Sequence, residues 1–579
     1  MVNGLFRRLS AILLQPLRTR RAAKVNQEAI RLWDRGEMAA VERLLREALE
    51  IWPGYARACS NLGMVLWGQH RREEGMALLR KAVELDPEYA GARVNLGIAL
   101  YMIGARDESV AQHREATRLD PDNTHAHLNV LMPLLEGCDW AEAEAEVAWL
   151  LGRWRESRSD AVLDCIAPFM SLLVPVPQEF RLQIARHHSM QALQRVASAP
   201  RPRRAASPDQ RRLRIGYLSD GFRNHATAHL ATGLFEDHDR SRFETFAYSI
   251  GIDDGSEYRR RLVSAFEHFV DVQGLSHHAA AQRIADDAID ILVDMNGYIE
   301  GSRPEILALR PCAIQVSYLG YPGTMGADFV DYVVADSTVI PESDKPNWAE
   351  QVVWLPASYQ VNDRRQRIAD TAMRRADCGL PDGFVFCSFN QHAKIERAVF
   401  DAWLRILACT PASVLWLLEG AGERRLRARA EQQGIDPGRL IFAKLMAKPE
   451  HLARLRLADL FLDTHTCNAH TTASDALWSG LPVLTCSGDG FAGRVAASLL
   501  RAVGLPELVA ADSEAYAQQA IAFARNPEPL RVLARRLGAN RLTHPLFDTG
   551  RFTRDLERAY ETMWARHLQG AAPQAFAVP

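Results

Sequence analysis

The sequence predicts a helical repeat array followed by two doubly wound α/β lobes. Three observations carry this prediction. Small residues and prolines recur at a step of 34 between residues 48 and 129. After residue 210, short apolar runs alternate with helical stretches. That alternation comes in two successive series, divided near residues 360–380. Strands alternating with helices build a parallel sheet covered on both faces.

The repeat is read first. Ala48, Ala82 and Ala116 are spaced by 34, as are Pro53, Pro87 and Pro121. Ala58, Ala92 and Ala126 keep the same step, and so do Asn61, Asn95 and Asn129. Gly63 matches Gly97, and Trp67 matches Tyr101. A 34-residue period with small residues at fixed points and proline after the second helix is the tetratricopeptide signature. The small residues let two helices approach closely, and the proline ends each pair. Within an array spanning 25–135, two full repeats cover 56–89 and 90–123. A degenerate repeat precedes them and a partial one begins at Thr124. Such an array either docks peptides on its concave face or serves as a spacer, and both readings stay open. Residues 136–208 form a helical linker region that ends in the Pro- and Arg-rich run 199–208.

Composition narrows the class. A chain of 579 residues is too long for a single core. Hydrophobic content of 47% and charged content of 24% are those of an ordinary globular protein. A formal charge of -2 argues against a general nucleic-acid binder. The nine cysteines are scattered, odd in number and without a C-x-x-C pair. This fits reduced thiols in the cytoplasm better than disulfides or structural zinc. No apolar run reaches the roughly 18 residues that span a bilayer. Residues 1–24 set Arg7, Arg8, Arg18, Arg20 and Arg21 around Leu5, Phe6, Leu9, Ile12, Leu13 and Leu14. This reads as a basic amphipathic leader, compatible with a weak membrane contact.

In the second half, a first lobe (209–375) has strand candidates at 215–218, 243–250, 291–295, 314–319, 332–335 and 352–355. A second lobe (376–579) has them at 384–387, 414–418, 440–442, 460–462 and 483–485. Doubly wound sheets bind ligands beyond the carboxyl ends of their strands. Polar clusters fall at five such ends: 221–225, 296–298, 320–324, 390–394 and 464–475. In the last, a helix begins near Thr471, and its free N–H groups form an anion site to which Thr471 and Thr472 add hydroxyls. Thr472-x-x-Asp475 is equally the pattern of a plain helix cap. Residues 552–567 read as an amphipathic helix, and the Ala/Pro-rich 570–579 as disordered.

Several stretches together resemble the O-GlcNAc transferase family, glycosyltransferase family 41, in its compact bacterial form. They are Gly216-Tyr217-Leu218-Ser219-Asp220-Gly221-Phe222-Arg223-Asn224-His225, Ala308-Leu309-Arg310-Pro311 with Gln315, Leu319-Gly320-Tyr321-Pro322-Gly323-Thr324, Phe389-Asn390-Gln391-His392-Ala393-Lys394, and residues 413–418 and 467–478. The resemblance implies a GT-B fold and inverting transfer of N-acetylglucosamine from UDP-GlcNAc to Ser/Thr hydroxyls of proteins. It assigns Lys394 to the diphosphate and leaving group, with Gln391, Thr471 and Thr472 on the phosphates. It assigns Asp475 to a ribose hydroxyl, His451 to the uracil with Met446 and Lys448 nearby, and His470 to the sugar. Leu319 and Gly320 line the substrate site. His225 matches the histidine favoured by family analogy as general base, a role suited to imidazole. Four features depart from the family: Ala226 replaces a common proline, Tyr298 a histidine of some members, the interlobe insertion is short, and few repeats are present.

The same scaffold serves GDP-fucose transfer to Ser/Thr and UDP-glucose transfer to Asn. A small-molecule, lipid or polysaccharide acceptor, or an inactive repeat adaptor, are further readings. No cofactor or metal is expected. The catalytic half holds one Asp-x-Asp, Asp237-His238-Asp239, read as a surface turn away from the phosphate clusters.

Overall fold

The computed structural model describes residues 2–33, 37–157, 160–204 and 212–579. The chain divides into two units, Met1–Cys165 and Ile166–Pro579. In the first, one helix runs Val2–Trp33, through both the leader and the start of the degenerate repeat. The helix Met38–Ile51 and the pairs Ala56–Gly68 with Arg72–Leu85 and Ala90–Met102 with Arg106–Leu119 follow. Ala48, Ala58, Ala82, Ala92, Ala116 and Ala126 are all fully buried. At the tightest crossing a Cβ on Gly75 would stand 2.8 Å from the Gly63 carbonyl oxygen. The period therefore records contact points where only small side chains fit. The asparagines form a ladder: Asn61 donates to Asn26 Oδ1 at 3.0 Å and Asn95 to Ser60 Oγ at 2.9 Å.

The second unit holds two parallel sheets. The first uses β1 (Leu213–Ser219), β2 (Phe243–Ser249), β3 (His268–Asp271), β4 (Ile291–Asp294), β5 (Ile314–Ser317), β6 (Tyr332–Asp336) and β7 (Gln351–Leu355). The second uses β8 (Val385–Ser388), β9 (Val414–Leu418), β10 (Leu440–Ala443), β11 (Leu460–Leu462), β12 (Val483–Cys486) and β13 (Val509–Ala510). A last strand, β14 (Phe576–Ala577), returns to the first sheet. The orders are β14-β7-β6-β5-β4-β1-β2-β3 and β10-β9-β8-β11-β12-β13. In each the order reverses beside the first strand of the lobe, which opens a crevice at the strand carboxyl ends.

Three features differ from the sequence reading. The tail is not disordered: Phe576 pairs with Val353 and Ala577 with Trp354, and the Val578 N–H donates to the Trp354 carbonyl at 2.8 Å. The free edge of β7 and the burial of Val578 outweigh the Ala/Pro-rich composition. The Gln178–Val196 helix belongs to the second unit, where Ser189 donates to the Gly326 carbonyl at 2.9 Å and Arg195 bonds Glu305. Of the expected 199–208 linker, residues 205–208 lie outside the described residues.

The third correction concerns Asp237-His238-Asp239. His238 is no surface turn; its side chain is 0% exposed. It bonds Tyr217 Oη at 2.8 Å and Glu557 Oε1 at 2.9 Å. Glu557 lies on the C-terminal helix Thr549–Leu568, whose Leu556, Tyr560 and Met563 are fully buried. That helix leaves the second lobe and packs on the first. Glu557 also accepts from the Asp239 N–H at 2.9 Å. Glu557→Ala strands both donors in the interior, so a loss of about 3 kcal/mol is expected in urea unfolding. A loss below about 0.5 kcal/mol would mean that this contact does not anchor the helix.

Candidate active site

The lobes meet beneath the 356–363 crossover. Gln360 Nε2 donates to Ser474 Oγ at 2.6 Å, and Ser498 Oγ donates to the buried Asp336 of β6 at 2.6 Å. These bonds set the helix Thr471–Ser479 at the mouth of the cleft.

Lys394 ends a short 3-10 turn after β8. Its Nζ donates to the Asn468 carbonyl at 2.8 Å. Thr472 Oγ1 donates to Asn390 Oδ1 at 2.8 Å, and Asn390 Nδ2 donates to Thr464 Oγ1 at 3.0 Å. The ammonium, two threonines and the helix N-terminus thus gather at the ends of β8 and β11. Positive charge and free N–H groups there suit a diphosphate. Gln391 is exposed beside Lys394.

His470 stands at the N-cap, its Nε2 bonded to the Ala492 carbonyl at 2.9 Å. Burial, and then the Lys394 charge, push its pKa down to about 3. Asp475 is buried and ion-paired with Lys448. Burial pushes its carboxyl above the usual carboxylate range, and Lys448 opposes that. His451 Nε2 lies 3.9 Å from Asp475 Oδ2. Its ring meets Phe389 edge-on at 5.4 Å and its Nδ1 accepts from Arg454 at 3.0 Å. Burial lowers its pKa to about 3, so a neutral ring faces the cleft. Met446 is 39% exposed.

On the first lobe, Leu319 follows β5 with φ 72°. At Gly320 a Cβ would lie 2.0 Å from the Met295 carbonyl, so no other residue fits. His225 caps the helix Ala226–Asp237, its Nδ1 accepting from the Thr227 N–H at 3.3 Å. Burial, reinforced by Arg223, lowers its pKa and keeps it neutral. Tyr298 donates to the Met325 carbonyl at 2.9 Å.

Sequence reasoning missed His229. Its Nε2 pairs with Asn224 Oδ1 at 2.8 Å and its ring tilts on Tyr258 at 4.5 Å. Burial, then the Lys448 charge of the opposite lobe, lower its pKa to about 3. The signal was present: His225 and His229 are four apart, hence on one helix face. Among the described residues no group of three His, Cys, Asp or Glu could hold a metal ion.

A model of glycosyl transferase family 41 matches residues 137–375 and 370–556, and a tetratricopeptide model matches 56–85. The chain belongs to glycosyl transferase family 41. Among family 41 relatives, a probable UDP-N-acetylglucosamine–peptide N-acetylglucosaminyltransferase of Arabidopsis thaliana is 40% identical over 76% of this chain and 47% of its own length. The corresponding Caenorhabditis elegans transferase is 30% identical over 75% of this chain and 48% of its own. The chain thus spans about half the length of the curated relatives it matches. Among solved structures, a mutant O-GlcNAc transferase of Thermobaculum terrenum superposes with a TM-score of 0.66 at 27% identity, covering 95% of this chain and 98% of that one.

Proposed function

We propose that the protein transfers N-acetylglucosamine from UDP-GlcNAc to Ser/Thr hydroxyls of proteins, with inversion and without a metal. One observation carries the reading most: Lys394 and the Thr471–Thr472 helix N-terminus converge in a cleft between two doubly wound lobes. In this reading the acceptor oxygen attacks the anomeric carbon from the face opposite the diphosphate, and UDP departs. Lys394, Gln391, Thr471 and Thr472 take up the charge that grows on the leaving phosphate, where electrostatic stabilisation is largest. Asp475, held by Lys448, receives the ribose, and His451 packs on the base with Met446. His470 faces the sugar, with the Leu319–Gly320 backbone across the cleft. His225, held neutral, accepts the hydroxyl proton or orients the acceptor. The repeats dock the acceptor chain. Its nine free thiols suit the cytoplasm, and among the described residues no helix is long and apolar enough to cross a membrane.

Calorimetry with UDP and GDP tests the donor. UDP is expected to bind at least tenfold more tightly, and transfer from UDP-GlcNAc to a peptide library should change less than about twofold under excess EDTA. Tighter binding of GDP would replace the donor, and loss of transfer in EDTA would overturn the metal-free reading.

A further inference from the structure

The loop from Thr464 to Ala469 separates β11 from the Thr471–Ser479 helix and supplies the carbonyl that receives Lys394. Its backbone donors have unusual partners. The N–H groups of Thr464 and Ala469 donate to Asp463 Oδ1 at 2.8 and 2.6 Å. Those of His465 and Thr466 donate to Glu396 Oε1 at 3.2 and 2.6 Å. Asp463 has no exposed surface, and its second oxygen accepts from Thr485 Oγ1 at 2.7 Å. Glu396 reaches the loop from the N-cap of the helix Arg397–Cys409, two residues past Lys394. The Asn468 side chain closes the loop on itself, Nδ2 donating to the Thr464 carbonyl at 2.6 Å.

Burying two carboxylates costs free energy, and the interior repays it only through well-made hydrogen bonds. A loop that served merely as a connection would meet its donors with water or neighbouring carbonyls. Here each acid turns one oxygen to two N–H groups of one short segment, and that segment offers the Asn468 carbonyl to Lys394 just before it enters the anion-binding helix. Asn390 extends the arrangement, bonding Thr464 with its amide nitrogen and Thr472 with its amide oxygen.

We infer that Glu396 and Asp463 are positioning residues of the transfer site: by taking up the N–H groups at 464, 465, 466 and 469 they hold the Asn468 carbonyl, and through it Lys394 and the start of the Thr471–Ser479 helix, in register with the diphosphate. This rests on the functional reading above.

Glu396 is the more accessible of the two and is the residue to vary. Three substitutions separate position from charge. Glu396→Gln keeps an acceptor at full reach and loses the charge. Glu396→Asp keeps the charge and withdraws the acceptor by one methylene. Glu396→Ala removes both. Positioning ranks them Gln, Asp, Ala, whereas a charge role ranks Asp first. UDP affinity by calorimetry is expected to fall less than threefold in Glu396→Gln, about fivefold in Glu396→Asp and at least tenfold in Glu396→Ala. Amide exchange in the 464–470 peptide should quicken in the same order, and kcat should drop more than KM rises. Should Glu396→Ala fail to fold, the Gln and Asp variants decide alone. A Glu396→Asp enzyme equal to the parent, or better than Glu396→Gln, overturns the inference while the parent still binds UDP. A parent that binds no UDP overturns the functional reading, and this inference with it.

Discussion

Lys394→Ala is expected to lower kcat by about 10²- to 10³-fold, the range for losing one preorganised charge-stabilising donor. In the proposed transfer, the leaving diphosphate gains negative charge as the glycosidic bond breaks. The helix N-terminus answers with roughly half a charge spread over several N–H groups. The Lys394 ammonium adds a full positive charge held in place by the Asn468 carbonyl at 2.8 Å. The interaction strengthens as the bond breaks, so kcat suffers more than KM. Folding should lose about 1–3 kcal/mol, because the carbonyl of Asn468, a residue with no exposed surface, is left without its Lys394 donor. Lys394→Arg is not expected to rescue, since the planar fork is longer and presents its donors differently. Initial rates with UDP-GlcNAc and a peptide acceptor, beside the melting temperature, check this. A Lys394→Ala variant with parental kcat would remove Lys394 from the reaction and leave the repeat adaptor as the working reading.

Much of this architecture was legible because its physics is periodic. The alanines at 48, 82 and 116 mark the same helix contact three times, and all are fully buried. The apolar runs gave eleven of the strands to within a residue or two, since both faces of a parallel sheet are covered and its strands read as unbroken hydrophobic stretches. β3 escaped because His268 and Asp271 leave only two apolar residues in an edge strand. At the site, residues within one motif were found, and Lys394, Thr472, Asp475 and Lys448 do gather in the cleft. What stayed hidden were partners joined only by folding. Nothing in Glu396 announces that it will accept from His465 and Thr466, some 70 positions on. His238 looked like part of a polar turn because its partner Glu557 is 319 residues away.

Stability is expected to fall between pH 6.5 and 5. Burial lowers His225 and His277 and, most strongly, five further histidines: His113 and His465 to about 4, and His229, His451 and His470 to about 3. Unfolding returns each to about 6.5. Below that value the unfolded chain binds protons that the folded chain does not, so folding loses free energy as pH falls. At pH 5 each of the five contributes a loss of about 2 kcal/mol. Seven carboxyls act the other way, each raised by burial: Asp294, Asp336, Glu350, Glu396, Asp463, Asp475 and Asp555. Burial raises Asp463 to about 7 and Asp294 to about 6. Each takes a proton in the folded state while its unfolded counterpart stays ionised, so acid favours folding there and offsets roughly two of the five histidines. His127, raised by Glu146 and the Pro121 carbonyl against the burial that lowers it, adds a smaller opposing part. The other five raised carboxyls reduce the remaining loss further. Urea midpoints at pH 7.5, 6.5, 5.5 and 5.0 should therefore be nearly constant over the first two and fall over the last two. Four of the five histidines and all seven raised carboxyls lie in Ile166–Pro579, so the two kinds of group oppose each other within that unit. Midpoints that stay level down to pH 5 would mean that these imidazoles reach water or a carboxylate in the folded protein. His451 and His470 would then no longer count as neutral groups at the nucleotide site.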